Sequence, residues 1–433
     1  MYKNLRTWLF GGLLLAAASC KNDDDIVIPS PQATAGKTTD SLYIGDSTLL
    51  HPAVNVKSDV TYKWTVNNTP SGTDSVFSFK PVASGDFEIV FEASNTMGKS
   101  TVTYKIHVWR KYENGFFIIS EGNYGVKSGD VNFYDYGKDT VYEYAYAAEN
   151  PGKEMGPLTS TMEFGAIHNG KLYVVGKFGG PLVVADAVTL KETGRIADLP
   201  ANDGRAFVGI NETTGLLSSA AGVYPVNLTT LTLGEAVSGI NGEVTDMIKS
   251  GNYIFVMSAK EGIIALNAAD YSVARKLGTA VAGFVESKDG SLWAASATQL
   301  KKINPATLEV DSITTGFPVY YNEYTYYNSS ITASTSENAI YVISGANQVY
   351  KYVPGNAASL TSPFITLPAG QYFYGKGIAY DKARNYLVLN SNTNMYGADI
   401  NNQLYIHNAT TGEQLHATSY RGYFFPGMPV FQP

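Results

Sequence analysis

From Gly115 onward the chain is built of copies of one unit, and that periodicity restricts the fold more than any other feature. The unit reads as an apolar strand, a polar turn, a strand with a large apolar centre, a third strand, a second polar turn and a fourth strand. Its clearest copy is FGAIHNGKLYVVGKFGGPLVVADAVTLKETGRIADL. The second-strand centres fall at Tyr173, Leu217, Phe255, Trp293, Tyr341 and Leu387, spaced by 38 to 48 residues. FFIISEGNYG with GDVNFYDYGKDTVYEYAY supplies a further copy ahead of them. A four-stranded sheet cannot bury both faces alone, so four strands at this period imply sheets stacked around an axis. The expected fold class is all-β: a seven-bladed β-propeller over residues 111–433. A β-helix would need a shorter period, and a sandwich would not repeat.

The 31 Tyr and 42 Gly fit strands and turns better than helices. A formal net charge of −7 excludes a nucleic-acid binder of the usual kind, because no basic patch exists to displace phosphate counterions.

Propeller geometry sorts the loops by face. With strands a to d running outward, the a-to-b and c-to-d turns share one face, and the b-to-c and d-to-a connections share the other. The first set (HNG, KSGN, SKDG, TSEN, NLTT, NAAD, NPAT, NATTG) is compact and polar. The second set carries nearly every aromatic insertion. It includes GNYG around Asn123 and Tyr124, GKFGG around Phe178, and the strand entries at Phe164 and Phe207. FPVYYNEYTYYNSS adds Tyr320, Tyr321, Asn322, Tyr324 and Tyr326; GQYFYG adds Tyr372 and Tyr374; NSNTNMYGADINN adds Tyr396 and RGYFFPG adds Tyr423. Aromatics are costly to leave in water, so their gathering on one face reads as a platform for a large, partly apolar ligand. Within the tyrosine loop, alternation puts Tyr320, Tyr324 and Tyr326 on one side, with Tyr321 and Tyr327 bracing the other. Neighbouring Asn and Gln side chains suit a ligand fringed with amides or hydroxyls. Glu121, Asp203, Glu323 and Asp399 on this face read as solvated or turn-making groups.

No catalytic constellation is expected. The five histidines never fall in HxH or HExxH spacing, no GxSxG occurs, and no Gly-rich loop leads from a strand into a helix. No metal site and no cofactor are expected, and a paired-carboxylate glycosidase is the more distant alternative.

The N-terminus has a basic start (Lys3, Arg6), an apolar run too short to span a bilayer, and small residues before Cys20, the only cysteine. Residues 1–19 therefore read as a signal peptide, and LLLAAASC resembles a lipobox in which Cys20 carries the lipid. KNDDD after it resembles the acidic export signal of surface lipoproteins of Bacteroidota, which implies the outer membrane with the protein exposed at the cell surface. Residues 20–40 read as a flexible acidic tether. Residues 41–110 alternate in short segments and read as a small β-sandwich. There Tyr62, Trp64, Gly85-Asp86-Phe87, Ala93-Ser94-Asn95 and Gly98 resemble the PKD/Ig-like family.

GFFIISEGNYG followed by GDVNFYD, the AIHNGKLYVVGK…VVADAVTLKETGRI unit and the INPATLEV unit resemble the YncE-like propeller family of Bacteroidota surface lipoproteins, whose characterised branch is BtuG. That resemblance implies capture of cobalamin or a related cobamide and its delivery to a BtuB-like TonB-dependent outer-membrane transporter. The PKD-like module is extra to the minimal form of that family. The alternative function is a surface protein-interaction or glycan-binding propeller with no small-molecule cargo.

Overall fold

The structure, a computed structural model, describes residues 28–321, 330–394, 401–421 and 425–432. It divides into two compact units, with the boundary between Val108 and Trp109.

The N-terminal unit is built on a five-stranded antiparallel sheet whose central hairpin, Gly85–Asn95 with Gly98–Trp109, alternates buried and exposed residues along both strands. Trp64, Ile89, Phe91 and Val108 are fully buried, and the Trp64 indole donates to the Asp74 carbonyl at 2.8 Å. The tether expected over 20–40 is shorter than that. Ala33–Thr34 pairs with Ala53–Val54, and Thr39–Tyr43 forms an edge of the five-stranded sheet. The Asn55 side chain accepts the Gln32 amide at 2.6 Å. These long-range partners order a stretch that has no hydrophobic period of its own.

Among the described residues the C-terminal unit holds seven four-stranded antiparallel sheets. Six consist of four consecutive strands. Their inner strands are Thr161–His168, Gly204–Gly209, Val244–Ser250, Ala282–Glu286, Ile331–Ala333 and Tyr372–Asp381. The remaining sheet joins Gly115–Asn123, Lys127–Asp135 and Thr140–Tyr142 to Pro426–Phe431, which serves as its inner strand. Inner strands touch in succession, and Pro426–Phe431 touches both Tyr372–Asp381 and Thr161–His168, so the succession closes on itself.

The repeat centres explain the stacking. Tyr173, Leu217, Phe255, Trp293, Tyr341 and Leu387 all lie on second strands and all are buried. Tyr173 stacks on Phe207 of the next sheet with centroids 4.1 Å apart and planes 11° apart, and Trp293 meets Tyr352 of the next sheet edge-on at 5.8 Å.

The turns between third and fourth strands repeat at atomic detail. Asp186, Asn227, Asn267, Asn304 and Asn408 each accept, through the backbone carbonyl, the amide four residues on, at 2.8 to 2.9 Å. The donors Leu190, Leu231, Tyr271 and Leu308 sit in the left-handed region, with φ of 52° to 60°. That conformation costs a non-glycine residue about 1–2 kcal/mol. Burial of the Leu190 and Leu308 side chains offsets it. The Asx side chain completes each turn where it accepts the amides two and three residues on, as Asn227 does from Thr229 and Thr230. This face is committed to making turns. His168 and His407 serve it too, each pairing a ring nitrogen with a backbone carbonyl, of Asn211 and Gly412.

Candidate binding cleft on the loop face

On the opposite face, Glu121, Asn123, Tyr124, Thr161, Lys177, Phe178 and Phe425 line a cleft of about 430 Å³. Glu121 and Asn123 end a second strand, and Tyr124 follows in the tight turn to the third, closed by the Val126 amide on the Asn123 carbonyl at 2.9 Å. Lys177 ends the equivalent strand of the next sheet, and Phe178 follows it with φ of 50°. The Phe178 amide is fixed by the Asp203 carboxylate at 3.1 Å. Tyr124 and Phe178 stand out into solvent, 59% and 39% exposed, and meet edge to face at 6.2 Å and 83°. Phe425 reaches in from the connection ahead of Pro426–Phe431, where its carbonyl accepts the Glu121 amide at 2.9 Å. Beneath it, Tyr374 packs on the Phe425 ring at 4.9 Å.

The floor is charged and buried. Lys177 Nζ lies 3.0 Å from Glu121 Oε2 and 3.2 Å from Glu163 Oε2, with all three side chains at most 5% exposed. Burial pushes the Glu121 carboxyl up to about 7; Lys177 works against the shift and Glu163 adds to it. The Lys177 ammonium is held above its usual range: burial alone would lower it, and the two carboxylates more than reverse that. Burial, with Glu121 and Glu163 adding, carries the Tyr374 phenol well above its ordinary value. The Tyr374 phenol also hydrogen-bonds the Glu121 carboxylate, which works against the rise in Glu121 and adds to that in Tyr374.

Asp130 and Asp246 are also pushed up, each to about 6 and chiefly by burial, although both accept backbone amides. These three groups bind protons more tightly folded than unfolded. Their stabilisation is present at low pH and is lost as pH rises through about 6 to 7. Asp289 acts in the other direction. Burial works against it, but hydrogen bonds from Ser287 and Lys302 hold it low, so its contribution is lost in strong acid. Maximum stability is therefore expected near pH 4, where the gain from Asp289 is complete and the loss from the other three begins. Urea midpoints across pH 4–8 should fall from about pH 4 and level off above pH 7, with the Glu121 share on the order of 3 kcal/mol. Glu121→Gln should flatten that fall, and a curve that rises toward pH 8 refutes the assignment.

The residues expected on the platform distribute unevenly. Asn123, Tyr124 and Phe178 come together in the cleft. Phe164 and Phe207 do not: both are buried between sheets, 5% and 1% exposed, and belong to the core. The inner strands slip register near their starts, between Met162 and Phe164 and between Gly204 and Phe207, which turns the rings inward. Tyr374 is buried under the cleft, and Tyr372 is half-buried, opposite Asn392 in the ladder. Tyr320 is the bracing residue of its pair: half-buried, it donates its hydroxyl to the Phe373 carbonyl at 2.8 Å. Tyr321 is 54% exposed, the reverse of the alternation expected. Cys20, Asn322, Tyr324, Tyr326, Tyr327, Tyr396 and Tyr423 lie outside the described residues. Sequence reasoning missed the Glu121–Lys177–Glu163 cluster. Its signal was a charge placed where an apolar strand meets an aromatic loop, in EGN and again in GKFGG.

Seven stacked four-stranded sheets make the C-terminal unit a β-propeller-like all-β domain. The chain belongs to the family described as Domain of unknown function (DUF5074), matched over residues 114–432. Among solved structures it is similar to a quinoprotein alcohol dehydrogenase-like protein from Bacteroides thetaiotaomicron. That match has 20% identity and a TM-score of 0.62, covering 94% of this chain and 100% of the other. It is also similar to the extracellular domain of a one-component system from B. thetaiotaomicron, with 11% identity, a TM-score of 0.48 and coverage of 76% and 46%. A third is the dihydro-heme d1 dehydrogenase NirN, with 11% identity, a TM-score of 0.45 and coverage of 73% and 77%. At these identities the likeness concerns the fold alone. No curated protein matches. Among the described residues, no helix is long and apolar enough to cross a membrane, and no group of three or more His, Cys, Asp or Glu is placed to hold a metal ion.

Proposed function

We propose that the chain is a capture protein of the outer-membrane surface, without enzymatic activity. In this reading Cys20 carries the lipid anchor and a PKD-like module lifts a seven-bladed propeller of the YncE-like, BtuG-type family above the membrane. The loop face then takes up a large amide-fringed ligand, a cobamide by that resemblance, and passes it to a TonB-dependent transporter of the BtuB kind. One observation carries the reading: solvent-exposed aromatic side chains converge on a cleft on one face, while the other face is spent on Asx turns. Aromatic walls with a few polar groups between them are the usual lining of a small-molecule site.

Titration calorimetry of the full chain with a panel of cobamides tests it. Binding is expected, and the Tyr124→Ala/Phe178→Ala double variant should weaken it by about fivefold to a hundredfold, in line with about 0.5–1.5 kcal/mol for each aromatic contact. Silence with every cobamide overturns the ligand assignment. A transporter retained from solubilised outer membranes by the full chain supports the hand-off, and retention without any cobamide binding favours the interaction-protein alternative.

A further inference from the structure

Phe178, one wall of the cleft, holds a backbone conformation that its side chain disfavours. Its φ is 50°, and on the connection into the next sheet Ala201 and Asn202 have φ of 57° and 55°. A left-handed backbone brings Cβ too close to the following carbonyl oxygen, and for a bulky residue that is a strained state. On the turn face the same conformation completes a turn that recurs from sheet to sheet. Here it falls on two irregular loops that are tied to each other: the Gly179 amide donates to the Asn202 carbonyl at 2.6 Å, and the Phe178 amide to Asp203 Oδ1 at 3.1 Å. The loop has glycine at Gly176, Gly179 and Gly180 and keeps a phenylalanine at the strained position between them.

Such strain persists only where the surroundings over-determine it. Asp203 supplies that constraint. From sequence it reads as a solvated or turn-making group, but in the structure it is only 8% exposed, and the Arg205 guanidinium takes both of its oxygens, with Nη1 on Oδ1 and with Nη2 on Oδ2 at 2.8 Å. Arg205 is fixed in turn: Nε donates to Glu243 Oε1 at 2.8 Å and Nη1 to the Gly204 carbonyl at 2.9 Å. Glu243 directly precedes the inner strand Val244–Ser250, so the run of contacts crosses three sheets. A carboxylate held at both oxygens cannot follow the Phe178 amide if the loop relaxes.

We propose that Asp203, held by Arg205 and Glu243, is the positioning residue of the cleft: it fixes the Phe178 backbone in its strained state, so that the ring stands against Tyr124 before a ligand arrives. The inference rests on the reading of the cleft as a binding site. A wall fixed in advance loses little conformational freedom on binding, so more of its contact appears as affinity. Without Asp203 the loop relaxes to ordinary backbone geometry, and the ring is no longer held in place.

The experiment compares glycine with alanine at position 178 by urea unfolding of the full chain, with Asp203 and without it. With Asp203 in place the strained backbone favours glycine, so Phe178→Gly should have a propeller unfolding constant about 5- to 30-fold lower than Phe178→Ala. Ordinary backbone favours alanine instead, by about 2- to 5-fold. In the Asp203→Ala background the order should therefore reverse. Asp203→Asn keeps a side-chain oxygen for the Phe178 amide and should keep the glycine preference. A residue that merely stabilised the fold would affect both variants at 178 alike and leave their ratio unchanged. Hydrogen exchange in the unsubstituted chain is decisive whether or not Asp203→Ala folds: the Phe178 amide should exchange more slowly than an unbonded amide, by about tenfold or more. An alanine preference with Asp203 present, a glycine preference that survives Asp203→Ala, or a Phe178 amide exchanging at the unbonded rate overturns the proposal. None of these measurements uses a ligand. A chain that passes them and binds no cobamide refutes the cobamide assignment alone, and a chain that binds cobamides and fails them refutes this inference alone.

Discussion

Lys177→Met is expected to destabilise the propeller by about 3–5 kcal/mol at pH 8, a large share of the roughly 5–15 kcal/mol that holds a domain folded. Lys177 is the shared partner of Glu121 and Glu163. Methionine keeps much of the apolar stem and removes the charge, leaving two carboxyls facing each other in a space that excludes water. Each then resists ionisation because of burial and because of the other. The cost should therefore depend on pH. Near pH 5 protons can neutralise the pair, and the variant should recover much of the loss. A second substitution sharpens the test. Glu121→Gln in the Lys177→Met background removes the repulsion, so the double variant should be more stable than Lys177→Met alone at pH 8. That non-additivity is what a shared contact predicts. Equal urea midpoints for Lys177→Met and the unsubstituted chain at pH 8 would show that the ion cluster is not worth what its burial implies.

This cluster also shows what could be read from the sequence. The repeat was legible because each copy satisfies the same local demands: a buried centre such as Tyr173 or Trp293, and an Asx turn such as NLTT or NPAT. Those demands are met within about 40 residues, so they leave a period. The assignment of loops to two faces followed from strand count alone. Orientation within a strand was less accessible. Register slips at the starts of the inner strands break the simple alternation, and Phe164 and Phe207 went into the core. Glu121, Glu163 and Lys177 come from three strands of two sheets, and no spacing in sequence signals that their side chains meet. The raised Glu121 carboxyl depends on that meeting and on burial. A composition that reads these residues as solvated charges misses both.

Deleting residues 422–433 is expected to abolish the folded propeller. Among the described residues, Pro426–Phe431 is the only inner strand that comes from the far end of the chain from its own sheet, pairing Phe117 with Val430 and Ile119 with Met428. Closing a contact across some 300 residues costs on the order of 5 kcal/mol in chain entropy, a cost that grows only slowly with length. The strand repays it through burial. Met428 and Val430 are each at most 6% exposed, and burying side chains of this size contributes roughly 1.5–3 kcal/mol apiece. Met428 Sδ also accepts the Gly165 amide at 3.2 Å, and Gln432 donates to the carbonyls of Tyr112 and Ala187 at 2.9 and 2.7 Å. These contacts tie the strand to the next sheet as well as its own. Pro426 and Pro429 are tolerated because this strand has a ladder partner on one side only. Without it, Ile119 and Phe117 face water, and Tyr372–Asp381 and Thr161–His168 lose the element that joins them. The deletion should remove the propeller's cooperative unfolding transition and leave that of the N-terminal unit, and a peptide of residues 422–433 added in trans should restore the lost one in a concentration-dependent way. A gentler version is Gly427→Val, where a Cβ would stand 2.9 Å from the Ile119 carbonyl and force the strand off its ladder. If the truncated chain kept the midpoint of the full one, the ring would be stable open, and closure by the last strand would have no energetic role.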